Sequence, residues 1–157
     1  MQLGMIGLGR MGANMARRLK DFGFPLSAVY DRQTSVAAAL AKELGCQAAA
    51  DPAAVAQASQ TVITVVTDDA AMDQIFAEND KASLLAHAQD RLFINCATVS
   101  PSTHREVEQR VTALGGASLE ACMASSITQA RQGTLYLMCG GRPASGVAPS
   151  TISAATR

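Results

Sequence analysis

Three glycines punctuate the run GLGRMGANMARRL at residues 7–19, directly after a strand-like QLGMIG at 2–7 and directly before an amphipathic stretch. This order of strand, turn and helix restricts the fold more than any other feature, because G-x-G-x-x-G carries meaning only in that setting. Gly7 allows the tight turn, Gly9 lets a pyrophosphate lie against the main chain, and Gly12 lets the helix pack close to the strand. Main-chain N–H groups around Leu8, Arg10 and Met11, at the positive end of the helix, are then expected to face phosphate oxygens.

Asp31 closes the second strand at about the ~20-residue distance where a carboxylate holds ribose hydroxyls. A carboxylate there repels the 2′-phosphate of NADP and so favours NAD. Arg32 beside it can stack on adenine or attract that phosphate, which keeps NADP open. Two other readings fit these residues taken alone: a tight turn beside a surface aspartate, or a site for S-adenosylmethionine.

Beyond the fingerprint, strand and helix patterns alternate. Met11, Met15, Leu19 and Phe22 recur on one face of a helix over 11–22. A strand at 25–30 leads to a helix at 34–44 stopped by Gly45, then a short strand near 47–49. Asp51-Pro52 and Ser100-Pro101 read as N-caps followed by proline in the first turn. The continuously apolar QTVITVV at 60–66 reads as a strand buried on both faces. A helix is expected over 69–88, a strand at 91–95, a helix from Pro101 to about Leu114, and strands at 117–121 and 134–139. The fold class is therefore α/β, a Rossmann-type doubly wound, mostly parallel sheet. Residues 1–141 form the dinucleotide-binding domain, and 142–157, small and polar with two prolines, read as an irregular tail.

Composition excludes several partners. Net charge is zero with Lys and Arg scattered, so nucleic acid has no electrostatic support. No apolar run approaches the ~20 residues of a membrane span, and no basic-then-apolar leader opens the chain. Cys46, Cys96, Cys122 and Cys139 form no C-x-x-C, and with His87 and His104 they show no zinc-ligand spacing, so no metal is expected. Reduced thiols fit a cytoplasmic protein.

With the glycine run, VYDR at 29–32, ATVSP at 97–101 and ARQGTLYLMCGG at 130–141, the chain resembles the β-hydroxyacid dehydrogenases. This family includes the 3-hydroxyisobutyrate, tartronate semialdehyde and 6-phosphogluconate enzymes, and the resemblance covers residues 1–141 with its four motifs in the family's order. It implies hydride exchange between a nicotinamide cofactor and a small hydroxyacid or its semialdehyde. It further implies that Val66 and Thr67 touch the adenosine-side ribose and that Thr98 lies beside the nicotinamide. From its residues alone, the alternative for Thr98 is a hydroxyl that only satisfies local main chain at the start of a helix.

Two departures stand out. The family's Asp-Ala-Pro-Val-Ser-Gly-Gly loop is here Glu120-Ala121-Cys122-Met123-Ala124-Ser125-Ser126. Ser125, Ser126 and Thr128 can still donate to a substrate carboxylate, but glycine's conformational freedom is gone, and a purely structural loop is the alternative. The second departure is that Lys20, Lys42 and Lys81 all lie upstream and outside the family's catalytic-lysine motif, so no catalytic residue is assigned. Glu120 and Cys122 read as strand residues rather than replacement bases. The family's helical second domain has no counterpart in the tail, whose origin as a frameshift, a premature stop or an engineered end stays open. The expectation is a cofactor-binding domain that is inactive alone, with a non-catalytic dinucleotide-binding or interaction module as the alternative. Apolar surface on the late strands is expected to favour a homo-oligomer.

Overall fold

The computed structural model describes residues 2–140. A seven-stranded sheet runs in the order β3-β2-β1-β4-β5-β6-β7. Its strands are β1 (Leu3–Ile6), β2 (Leu26–Tyr30), β3 (Gln47–Ala48), β4 (Thr61–Thr64), β5 (Leu92–Asn95), β6 (Ala117–Met123) and β7 (Leu137–Gly140). All neighbours pair in parallel except β6 and β7, which are antiparallel. The helices are α1 (Arg10–Asp21), α2 (Thr34–Leu44), α3 (Pro52–Ala58), α4 (Asp69–Ile75), α5 (Pro101–Ala113) and α6 (Ile127–Gln132).

The central strands β1 and β4 are buried at every position, as crossover helices on both faces require. Two apolar clusters result. One joins Val62, Phe93, Phe76 and Val107; the other joins Met5, Val29, Leu40 and Ala16. Phe76 and Phe93 meet edge to face, 5.4 Å between ring centroids, and each buried side chain of this size contributes about 1.5–3 kcal/mol. The chain leaves β1 toward β2 on one side and returns as β4 on the other. This reversal opens a crevice at the carboxyl ends of β1 and β4, where doubly wound folds bind ligands.

The doubly wound, mostly parallel sheet agrees with the sequence reading, as do the caps. Asp51 Oδ1 accepts from Ala54 N–H, Ser100 Oγ accepts from Thr103 N–H, and Gly45 ends α2 in the left-handed region. Three elements differ. The helix expected over 69–88 stops at Ile75 with Phe76 as its C-cap, Asn79 beyond it takes a positive φ, and a separate 3₁₀ turn follows at Leu84–His87, capped by Ser83. Phe22 leaves the apolar face of α1: it is the C-cap, half-exposed, with the Arg18 guanidinium 3.4 Å above its ring. Helix α6 was not anticipated, being too short for a periodic pattern. The tail proposed at 142–157 lies outside the described residues. Among the described residues, no helix is long and apolar enough to cross a membrane.

Candidate cofactor site and an adjoining polar cluster

The turn after β1 gives each glycine a separate physical reason. Gly7 has φ +85°, and a Cβ there would sit 2.3 Å from the Val65 carbonyl oxygen. A Cβ on Gly12 would lie 2.0 Å from the Gly7 carbonyl oxygen, so α1 can approach its own entry turn only without a side chain. Gly9 is different. Nothing lies within 4 Å of where its Cβ would be, although it is exposed at the mouth of the crevice. The protein's own packing does not require glycine there, whereas a ligand lying against the main chain does.

Gly9 is also the N-cap of α1 and brings no capping side chain, and the first helical turn holds no acidic residue. The N–H groups of Arg10 and Met11 therefore open toward the crevice with no side-chain cap across them, the arrangement that binds anionic oxygens. Leu8, buried, donates its N–H to Asp31 Oδ2 at 2.7 Å, and Gln33 N–H donates to Oδ1 at 2.9 Å. Asp31 is thus fixed over the glycine turn while keeping unused acceptor capacity on both oxygens. Arg32, exposed, lies near enough to Asp68 to favour its ionised form.

Val66 and Thr67 follow β4, where the main chain at Val65 presses on Gly7 and bonds to Ile6. Thr67 is exposed and its hydroxyl donates to Asp68. Asp68 and Asp69 are both held below the usual carboxylate range, Asp68 chiefly by the Ala71 N–H and Asp69 by the Ser100 N–H. Thr98 is exposed on the loop between β5 and α5, and the local capping duty falls to Ser100 instead. Val66, Thr67, Thr98, Gly7, Leu8, Gly9, Asp31 and Arg32 sit on the loops that follow β1, β2, β4 and β5, and Arg10, Met11 and Gly12 form the first turn of α1. A dinucleotide fits this donor set: an open main-chain cradle, a helix N-terminus and an oriented carboxylate.

The loop with Ser125 and Ser126 has structural engagements that the sequence reading left undecided. Ser125 Oγ accepts from Tyr136 N–H at 2.7 Å. Ser126 caps α6 in a reciprocal box with Gln129, and Gly133 closes that helix in the left-handed region. The S-x-x-Q spacing was the legible signal for α6. Both hydroxyls retain a proton to donate, and Thr128 is exposed on the helix.

Folding brings together one cluster that spacing did not reveal. Glu120 and Cys122 share a face of β6, and His104 on α5 is buried against them. Cys122 Sγ lies 3.3 Å from Glu120 Oε1 and 3.7 Å from His104 Nε2, and the His104 and Glu120 atoms are 3.8 Å apart. Burial and the Glu120 carboxylate push the Cys122 thiol up to about 11, the opposite of what a thiolate nucleophile needs.

Residues 2–149 match the family model described as the NAD binding domain of 6-phosphogluconate dehydrogenase. The mitochondrial 3-hydroxyisobutyrate dehydrogenase of Mus musculus is 32% identical over 139 residues, 88% of this chain and 41% of that protein. The NAD-dependent L-serine dehydrogenase of Pseudomonas aeruginosa is 32% identical over 141 residues, 89% of this chain and 46% of that protein. The structure of Mycobacterium tuberculosis 3-hydroxyisobutyrate dehydrogenase with L-serine superposes with a TM-score of 0.78 at 27% identity, covering 97% of this chain and 48% of that one. The chain spans less than half the length of each of these relatives. It belongs to the family of NAD(P)-binding domains typified by 6-phosphogluconate dehydrogenase.

Proposed function

We propose that this chain is the cofactor-holding part of an oxidoreductase acting on a small hydroxyacid or its semialdehyde, and that its 157 residues bind cofactor without turning substrate over. The open space at Gly9, in a turn whose other two glycines are required by packing, is the observation that carries this reading. When bound, a nicotinamide dinucleotide supplies the hydride donor or acceptor. The chain's own part is to bind and orient. The N–H groups of Arg10 and Met11 hold phosphate oxygens, with Leu8 and Gly12 shaping the turn beneath them. Asp31 accepts from ribose hydroxyls, which favours NAD, and Arg32 stands beside it as the residue that would admit NADP. Val66 and Thr67 bound the adenosine side, and Thr98 bounds the reacting side. Ser125, Ser126 and Thr128 are the donors for a substrate carboxylate.

The relatives' names support the substrate class: 3-hydroxyisobutyrate and L-serine are both small β-hydroxyacids. We place the protein in the cytoplasm, where its four free cysteines stay reduced. We also propose self-association through β7, an edge strand of the described sheet, where Met138 and, just before the strand, Tyr136 are exposed. The test of cofactor binding is a fluorescence titration with NADH. Saturable binding by the wild type and none by Gly9→Val is expected. Equal binding by both would remove the assignment of the glycine turn.

A further inference from the structure

We propose that His104, Glu120 and Cys122 form a site for a single divalent transition-metal ion of the zinc class, on the α5 side of β6, where Cys122 Sγ also lies 3.4 Å from the Ala97 carbonyl oxygen. The atoms that would ligate, His104 Nε2, one Glu120 carboxylate oxygen and Cys122 Sγ, all lie within 4.8 Å of one another. Their separations of 3.3, 3.7 and 3.8 Å are close to the edges of a tetrahedron around zinc. Metal–ligand distances of about 2.0–2.3 Å give ligand–ligand edges of about 3.4–3.6 Å. Three side chains thus already span one face of that tetrahedron.

The donor set is of mixed softness, imidazole, carboxylate and thiolate, which suits zinc and its neighbours and disfavours calcium or magnesium. Three protein ligands leave one position for water or an added ligand, the pattern of open rather than closed zinc sites. His104 and Glu120 line a cavity of about 160 Å³ with Arg105, Glu108, Ser118 and Gly140, where such a fourth ligand has room. Cys139 is in register with Ala121, so its side chain points to the opposite face of the sheet from Glu120 and Cys122. Residues 141–157 contain no His, Cys, Asp or Glu. On binding, the Cys122 S–H bond breaks as the sulfur–metal bond forms, and the proton passes to solvent. His104 binds as neutral imidazole with its proton on Nδ1.

Cobalt(II) is the probe, because a cysteine thiolate bound to it gives a charge-transfer absorption and a tetrahedral site gives intense visible bands. The purified full chain should take up one equivalent of Co²⁺ with both features, and Zn²⁺ should displace it. Cys122→Ser should lose the charge-transfer band. His104→Gln and Glu120→Gln should each weaken binding at least about tenfold, and Cys139→Ser should leave it unchanged. Far-UV circular dichroism and the NADH titration report whether each variant keeps its fold. Absence of a charge-transfer band in folded wild type with stoichiometric Co²⁺ would overturn the proposal. So would a band that survives Cys122→Ser or disappears in Cys139→Ser.

Discussion

The main-chain N–H of Leu8 donates to Asp31 Oδ2 at 2.7 Å, so the glycine turn after β1 and the acidic end of β2 form one unit rather than two separate motifs. On the proposed cofactor placement, a carboxylate fixed this way presents a localised negative charge toward a 2′-phosphate. Asp31→Asn retains a side-chain carbonyl that can accept one of the two main-chain donors, so the fold should persist. Affinity for NADP relative to NAD should improve by about 1–2 kcal/mol as the repulsion disappears. Paired titrations with NADH and NADPH measure this. Tighter binding of NADPH by the wild type would instead make Arg32 the dominant residue.

Gly9 and Gly12 should respond in opposite ways. A Cβ added at Gly9 meets no atom within 4 Å and the φ there is an ordinary −60°, so Gly9→Val should lower the Tm by less than Gly12→Ala does, while cofactor binding is lost. Gly12→Ala drives a methyl onto the Gly7 carbonyl, a main-chain atom that cannot swing aside. A cost of at least about 2 kcal/mol is expected, or roughly 4–8 °C in Tm for a domain of this size. Calorimetry on the two variants separates ligand space from packing space.

Asn95 is buried at the end of β5, where Thr64 Oγ1 donates to its Oδ1 at 2.8 Å and its Nδ2 donates to Ser118 at 3.0 Å. Asn95→Leu leaves the Thr64 hydroxyl without that acceptor in the sheet's interior, which should cost about 1–3 kcal/mol. Adding Thr64→Val removes the stranded donor and should recover part of the loss. Chemical denaturation of the single and double variants tests this, and strictly additive losses would show that the pair is not coupled.

Legibility from sequence followed the range of the interaction. The glycine turn, the Asp51 and Ser100 caps and the Gly45 stop depend on residues within a few positions of one another, and these were readable. The break after Ile75, followed by Asn79 in the left-handed region, is not encoded in apolar periodicity. Helix α6 was signalled only by Ser126 and Gln129, a capping box at the start of a helix of six residues. Long-range geometry was opaque. His104 and Cys122 are 18 residues apart on different elements, and only the packing of α5 on β6 brings the imidazole to the thiol. The same holds for the Leu8 donor to Asp31: both residues were assigned to the cofactor, but the bond between them was not foreseen.

Thiol reactivity should follow burial. Cys96 is buried and its thiol is pushed up to about 12, chiefly by burial, whereas Cys139 is exposed on β7 and Cys46 is half-buried with its thiol pushed upward. At pH 8 the thiolate fraction of Cys96 is only about one part in 10⁴. Labelling with N-ethylmaleimide, followed by peptide mass spectrometry, should therefore modify Cys139 first, Cys46 more slowly and Cys96 only on unfolding. Early labelling of Cys96 would mean that the sheet opens locally around β5.

Binding without turnover is the outcome expected of the chain as a whole. Taking a hydride from a C–OH carbon leaves a hydroxyl proton that a positioned group must accept, and the reverse reaction must supply one. The three lysines do not serve: Lys20 donates to the Glu43 carbonyl on the outer side of α1, Lys42 lies in the last turn of α2, and Lys81 precedes the 3₁₀ turn. Ser125 and Ser126, the donors proposed for a substrate carboxylate, are also engaged in fixing Tyr136 and α6. On the proposed reading, the lack of a positioned general base would cost about 10²–10⁴-fold, and loose orientation of substrate against the nicotinamide further orders of magnitude. NADH oxidation with tartronate semialdehyde, methylmalonate semialdehyde or succinate semialdehyde should therefore stay at background while NADH binding is normal. Steady-state turnover that disappears in Thr98→Val would place a proton acceptor within these 157 residues. Glu120 and Cys122 would then be the first positions to replace. Turnover lost in Glu120→Gln with NADH binding retained would identify the carboxylate as the base and end the reading of this chain as a binding domain alone.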